Sequence, residues 1–417
     1  MTGRPVGHYE RLTGSELDVV APLGTMPPVD RPQPVDGSTR AALEQVVADS
    51  VVRGPCYVLF SGGRDSSLVL ALATSAARRL GVPDPVPVTA VYPGDEHADE
   101  SSWQQLVLDH LGITERIVLS ITDERSTLGD VALHHLRRRG LVWPEAVHTQ
   151  PVFFAQLDPG GTVLTGEGGD ALLEARRVTA LHLLRLHGRR ASRALLRAAA
   201  ASLTPTVVDR RRARRAFADP EVLPWLRPRA RAVLAADEVA LRGPLRWDEA
   251  TWAVLDQRHT RMGLDNPVVG AAEYGLTMRH PIAEPTVVAA LAAEGGRWGF
   301  PGGRTHLFRR LGADLLPDAV LARQSKAAFN RSRWTERERE FARKYTGGAF
   351  HPEYVDEERL RAGWLGDRPH PVSYFMAQVA WLRQEGLPLV PTASPRPAST
   401  SRARVGENGG PHGSRAT

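Results

Sequence analysis

One stretch, Phe60-Ser61-Gly62-Gly63-Arg64-Asp65-Ser66-Ser67, restricts the fold of this chain more than any other. The apolar run Cys56-Tyr57-Val58-Leu59 leads into it, and Leu68-Val69-Leu70-Ala71-Leu72-Ala73 follows. A β-rich run, a Gly-Gly turn flanked by serines and a helix-forming run predict strand, phosphate loop and helix start. The glycines let the backbone bend with its N–H groups turned inward, the serines add hydroxyl donors, and the helix N-terminus favours an anion. A nucleotide pyrophosphate suits such a loop. An ordinary strand-to-helix turn also uses glycine and serine, so the assignment rests on the whole run in its context.

No Gly-Lys-[Ser/Thr] follows, so this is not a Walker A loop. The run resembles instead the PP-loop of the N-type ATP pyrophosphatases, Ser-Gly-Gly-x-Asp-Ser. Around it, the pattern alternates. A helical run from Arg40 to Val51 precedes the first strand, and a second strand is expected over Val86–Tyr92. A helix opened by Asp99-Glu100 and ended by Gly112 comes next, then a third strand at Ile117-Val118-Leu119 and a fourth at Thr162–Thr165. Units of this length predict a doubly wound parallel sheet. The fourth strand runs into a second glycine-rich loop, Gly166-Glu167-Gly168-Gly169-Asp170, where an open α/β sheet places ligand contacts.

The expected organisation is an extended lead-in over 1–38, an ATP pyrophosphatase domain over 39–390 and a disordered tail over 391–417. Within the domain, 39–174 reads as the α/β core and 175–390 as mostly helical, with Gly275 to Pro285 in a helical part. No apolar stretch reaches membrane-span length and no signal-peptide pattern follows Met1, so a cytoplasmic protein is expected. The one cysteine, Cys56, precludes an internal disulfide and reads as a core thiol; the 14 histidines lack zinc-ligand spacing. A net charge of +6 raises nucleic acid as a partner, but nearly every cation is arginine, Lys326 and Lys344 being the only lysines. The run Arg210-Arg211-Arg212-Ala213-Arg214-Arg215 therefore reads as a solvated face of an arginine-biased protein, and nucleic acid is unlikely as a partner.

Together, Ser61 to Ser67, the Glu100 to Gly112 helix, Leu164 to Asp170 and Arg323-Gln324-Ser325-Lys326-Ala327-Ala328-Phe329 resemble the synthetase domain of the asparagine synthetase family, which includes β-lactam synthetases and lasso-peptide cyclases. The resemblance implies an α/β fold of the PP-loop (HUP-like) type with a helical C-terminal part. It implies an AMP-forming carbon-nitrogen ligase using ATP and Mg²⁺, with a small-molecule or peptide carboxylate as substrate. Ser61, Gly62, Gly63, Asp65, Ser66, Ser67 and Gly166 would then bind ATP and pyrophosphate, and Asp65 and Asp170 would hold Mg²⁺. Glu167 would serve the attacking amine, and Lys326 would stabilise developing negative charge as a compact ammonium.

Two departures qualify the resemblance. Residue 2 is Thr2 rather than the glutaminase cysteine, so ammonia is expected free or from a partner protein, or an amine from the substrate. In Thr277-Met278-Arg279-His280-Pro281-Ile282-Ala283-Glu284 the family's Glu-x-Arg-x-Pro-Phe-Leu-Asp is loosened, which points away from aspartate and toward a specialised biosynthetic acid. An intramolecular lactam or lasso-type cyclase, a non-catalytic scaffold homologue and a tRNA-modifying enzyme stand as alternatives.

Overall fold

The computed structural model describes residues 7–34, 37–219, 221–325 and 331–391, without the side chain of Arg331. Among these residues five strands form one sheet: β1 (Cys56–Leu59), β2 (Val86–Val91), β3 (Ile117–Ser120), β4 (Thr162–Leu164) and β5 (Thr277–Arg279). Their order is β3-β2-β1-β4-β5 and every pairing is parallel. The fold is therefore α/β and doubly wound. Its strand order reverses between β1 and β4, so the loops leaving these neighbours open onto the crevice where such sheets bind ligands.

Burial follows from that topology. The central strand β1 buries Cys56, Tyr57 and Val58 in succession, as a parallel strand covered on both faces must. At the edge, β3 exposes Val118 and Ser120 in alternation. The helix Arg64–Leu80 behind β1 buries every residue from Ser66 to Thr74, because it is enclosed between the sheet and the helices Thr39–Val51 and Gly303–Gly312. A helix whose middle turns, Leu68 to Ala73, are apolar on every side belongs in a core there, not on a surface. Truncating Leu68 or Leu70 to alanine there should cost about 2–5 kcal/mol.

Two elements depart from expectation. β5 lies where helical structure was expected: three residues carry no readable period, and their extended form comes from docking on β4, with Thr162 opposite Thr277 and the Thr277 N–H on Gly161 O at 2.9 Å. The second departure is in the lead-in. Its described part includes the helix Gly14–Val19, started by a capping box between Thr13 and Glu16, and it is docked rather than loose. The buried Glu16 accepts from Leu23 N–H at 2.8 Å and Arg258 Nε at 2.6 Å, while Asn266 clasps both backbone groups of Glu10. Leu12, Val19 and Val20 thereby join a second core with Trp225, Trp364 and the helix Val372–Gln384.

Candidate active site

The first loop folds as its composition demands. Gly62 has φ +83°, a left-handed conformation that glycine adopts without strain. A Cβ there would lie 3.1–3.2 Å from Gln104 Cγ and N, so the turn also fits closely against the helix Ser101–Leu111. Ser66 and Ser67 hydroxyls donate to Gly63 O at 3.1 and 2.8 Å, Ser61 Oγ lies 3.2 Å from Ser66 Oγ, and Gly63 N–H reaches Ser61 Oγ at 3.3 Å. The serines thus brace the turn from inside, at the N-terminus of a helix of 17 residues.

The second loop is packed directly on the first. A Cβ on Gly166 would sit 2.6 Å from Ser66 N, and one on Gly169 would sit 1.8 Å from Asp65 Oδ1. Gly168 takes φ +88° against Ala283. Only glycines permit this approach of two backbones, and it brings Asp65 and Asp170 to one place although the loops are far apart in sequence.

A guanidinium joins the two carboxylates. Arg304, beside the left-handed Gly303 at the start of the helix Gly303–Gly312, donates from Nη2 to both Asp65 oxygens at 2.8 and 2.6 Å. Its Nη1 donates to Asp170 Oδ1 at 2.5 Å and Glu174 Oε1 at 2.8 Å. The charges perturb one another. Burial holds the Asp65 carboxyl above its usual range, with Arg304 opposing that rise and Asp170 adding to it. Burial alone would lower the Arg304 guanidinium, but Asp65 and Asp170 raise it well above its ordinary value. Burial and the nearby Arg304 charge lower Arg64.

Asp65 and Asp170 fit a hard divalent cation in one respect: both present oxygen to a single cationic centre. Among the described residues no group of three or more His, Cys, Asp or Glu could form a protein-only cage. Two carboxylates completed by substrate phosphates is the arrangement that Mg²⁺ commonly takes.

Glu167 is exposed at the mouth, and its backbone is held by a relay. Its N–H donates to Thr165 Oγ1 at 3.1 Å, Thr165 Oγ1 lies 2.6 Å from His280 Nδ1, and His280 Nε2 lies 2.9 Å from Leu264 O. A carbonyl only accepts, so Nε2 carries the proton, Nδ1 accepts, and the threonine hydroxyl donates to it. Burial keeps the imidazole neutral by lowering its pKa. Thus β5 aligns the second loop through the residue that follows it. The loosened motif around it is a structural clamp, with Arg279 Nε on Glu284 Oε1 at 3.0 Å and Nη1 on Ser50 Oγ at 3.1 Å.

Two further motif residues, Arg323 and Glu100, meet beside the first loop. Arg323 pairs with Glu100 through two bonds of 2.5 and 2.6 Å, both side chains being over nine-tenths buried. It also donates to Gly62 O at 3.0 Å and stacks on Trp103 at 4.5 Å. Lys326 lies outside the described residues, as do most of the tail and parts of the lead-in.

Sequence reasoning assigned no role to Arg304, Arg323, Glu100 or His280. Glu100 and Arg323 lie within the motifs that carry the resemblance, and His280 is the middle residue of Arg279-His280-Pro281; Arg304 has no local signal. Elsewhere, Cys56 is a buried thiol that desolvation pushes up to about 12, and Arg210, Arg211, Arg212, Arg214 and Arg215 are all exposed on a helix with no buried residue. Among the described residues no helix is long and apolar enough to cross a membrane.

Among curated proteins no individual relative matches the chain. The family model described as asparagine synthase matches residues 38–383 of the 417, a span that holds both glycine loops, the parallel sheet, Arg304 and the Arg323–Glu100 pair; the chain belongs to this family of ATP-dependent amide-forming ligases.

Proposed function

We propose that the protein is an amide synthetase that activates a substrate carboxylate as an acyl-adenylate and passes it to ammonia or an amine, in the making of a specialised metabolite inside the cell. The observation that carries this reading is the meeting of two glycine loops at the sheet's switch point with Asp65 and Asp170 turned on one cation. A carboxylate oxygen of the substrate attacks the α-phosphorus of ATP, and the bond to the departing pyrophosphate breaks. The N–H groups and hydroxyls of Ser61, Gly62, Gly63, Ser66 and Ser67, with Gly166 behind them, would cradle the phosphates at the helix N-terminus. Asp65 and Asp170 would hold Mg²⁺, which supplies charge neutralisation for the phosphate oxygens. The amine nitrogen then attacks the acyl carbon and AMP leaves. Glu167 would take the proton that the amine loses, and Lys326 would stabilise developing negative charge.

Exchange of labelled pyrophosphate into ATP, run with a panel of amino acids, dicarboxylates and peptides, tests the reading. Exchange should depend on the acid and fall by at least about 100-fold in Asp65→Ala and Asp170→Ala. A wild-type protein that neither binds ATP with Mg²⁺ in calorimetry nor releases AMP and pyrophosphate with any acid would instead be the scaffold homologue. Mass spectrometry of the product separates the amide-forming reading, which joins an external amine or ammonia, from ring closure, which removes only water from one substrate.

A further inference from the structure

Arg304 holds the ground on which the metal would have to sit. Its Nη2 spans both oxygens of Asp65 and its Nη1 reaches Asp170 Oδ1, so the carboxylates of both loops already face one cation. A divalent ion held by the same oxygens needs them at about 2.1 Å. There it would stand against the full positive charge of a guanidinium whose nitrogens lie 2.5–2.8 Å from the same atoms. The two cations therefore compete for the same carboxylates.

The surroundings indicate where Arg304 goes. Its guanidinium lies 5.4 Å from the ring of Phe308, and that of Arg64 lies 5.1 Å from the same ring, so two cations flank one aromatic surface beside the N-terminus of the helix Arg64–Leu80. Arg64 Nη1 donates to Thr305 Oγ1 at 3.3 Å. Among the described residues, the buried Arg304 Nε finds no hydrogen-bond partner. Once Asp65 and Asp170 are engaged elsewhere, Arg304 retains Glu174 and has donors to spare, next to a loop built for phosphate. Guanidinium forks match phosphate oxygens in pairs.

Resting on the acyl-adenylating reading above, we propose that Arg304 is a phosphate ligand of this enzyme that occupies the metal seat until nucleotide arrives. In the empty protein it neutralises Asp65 and Asp170; with nucleotide bound it turns to the β- and γ-phosphates, and the two carboxylates become available to the metal. Metal and nucleotide then bind with positive cooperativity, because each removes what opposes the other. Linkage makes the effect reciprocal.

The test uses the full chain, Mn²⁺ as the metal probe followed by electron paramagnetic resonance, and ATP binding followed by calorimetry. Wild type should bind Mn²⁺ alone weakly and at least tenfold more tightly with ATP present. Arg304→Gln should bind Mn²⁺ alone at least tenfold more tightly than wild type, bind ATP with Mn²⁺ at least tenfold more weakly, and lose most of the coupling. Arg304→Lys keeps the charge without the fork and should bind Mn²⁺ alone at least threefold more tightly; it carries the test if the glutamine variant does not fold. The inference is overturned if neither variant tightens Mn²⁺ alone, or if ATP affinity is independent of Arg304 while it remains dependent on Asp65. If no ATP binds to wild type or to either variant, the acyl-adenylating reading falls and takes this inference with it.

Discussion

Removing Arg323 should unsettle the phosphate loop without touching any ligand. Its guanidinium makes two short bonds to Glu100 and a third to Gly62 O, in a place where the side chains are 4% and 7% exposed. Arg323→Met leaves a buried carboxylate without its counter-charge, which costs about 3–5 kcal/mol. That is about a fifth or more of the stability of a typical domain. Glu100→Gln keeps a neutral acceptor for the guanidinium and should cost less, about 1.5–3 kcal/mol. The double variant Arg323→Met/Glu100→Gln removes both charges from the low-dielectric site, so it should be more stable than the sum of the single losses by about 2 kcal/mol. Urea midpoints with a constant slope measure each value. ATP affinity should fall in Arg323→Met, because Gly62 O loses the donor that orients the turn. Additivity within about 0.5 kcal/mol, or a single-variant cost below about 1 kcal/mol, would refute the reasoning.

The glycines that let the loops touch make a second prediction: Gly169→Ala puts a methyl 1.8 Å from Asp65 Oδ1 and Gly166→Ala puts one 2.6 Å from Ser66 N, so each should cost about 1–3 kcal/mol and at least about tenfold in ATP–metal affinity. Gly263→Ala, with no atom within 4 Å of the new methyl, should be neutral or stabilising by up to about 1 kcal/mol and serves as the control. His280→Phe breaks the relay to Thr165 and should lower AMP formation by about tenfold or more while ATP affinity holds; an equal fall in both would mean a general structural role. Burial lowers the pKa of His148 and His280 in the fold, whereas the unfolded histidines take a proton near 6.5. Their contribution is therefore complete above that value and is lost as pH falls below it, by up to about 1.4 kcal/mol per pH unit for each. Urea midpoints that stay flat from about pH 7.5 to about pH 5 would contradict this assignment.

Both glycine loops, four of the five strands and the central helix were legible in the chain itself, because each is specified locally. A short apolar β-rich run gives way to an apolar helical run, with Gly-Gly at the bend and polar hydroxyls beside it, and no distant partner is needed to read that pattern. β5 and the lead-in helix Gly14–Val19 were not legible. Three residues have no period, and six residues with one capping box hold together only when Arg258 and Asn266 receive them.

The chemistry divides in the same way. The resemblance of the two loops to the family's motifs was enough to single out Asp65, Asp170 and Glu167 as candidates, and their side-chain types suit the metal and amine roles that it implies. What the tertiary structure alone decided is which charge meets which. Arg304 lies 239 residues from Asp65, Arg323 lies 261 from Gly62 and His280 lies 115 from Thr165. No local pattern encodes separations of that length. They are set by the packing of helices on a parallel sheet, whose strand order brings the ends of β1 and β4 together and gathers these residues around them.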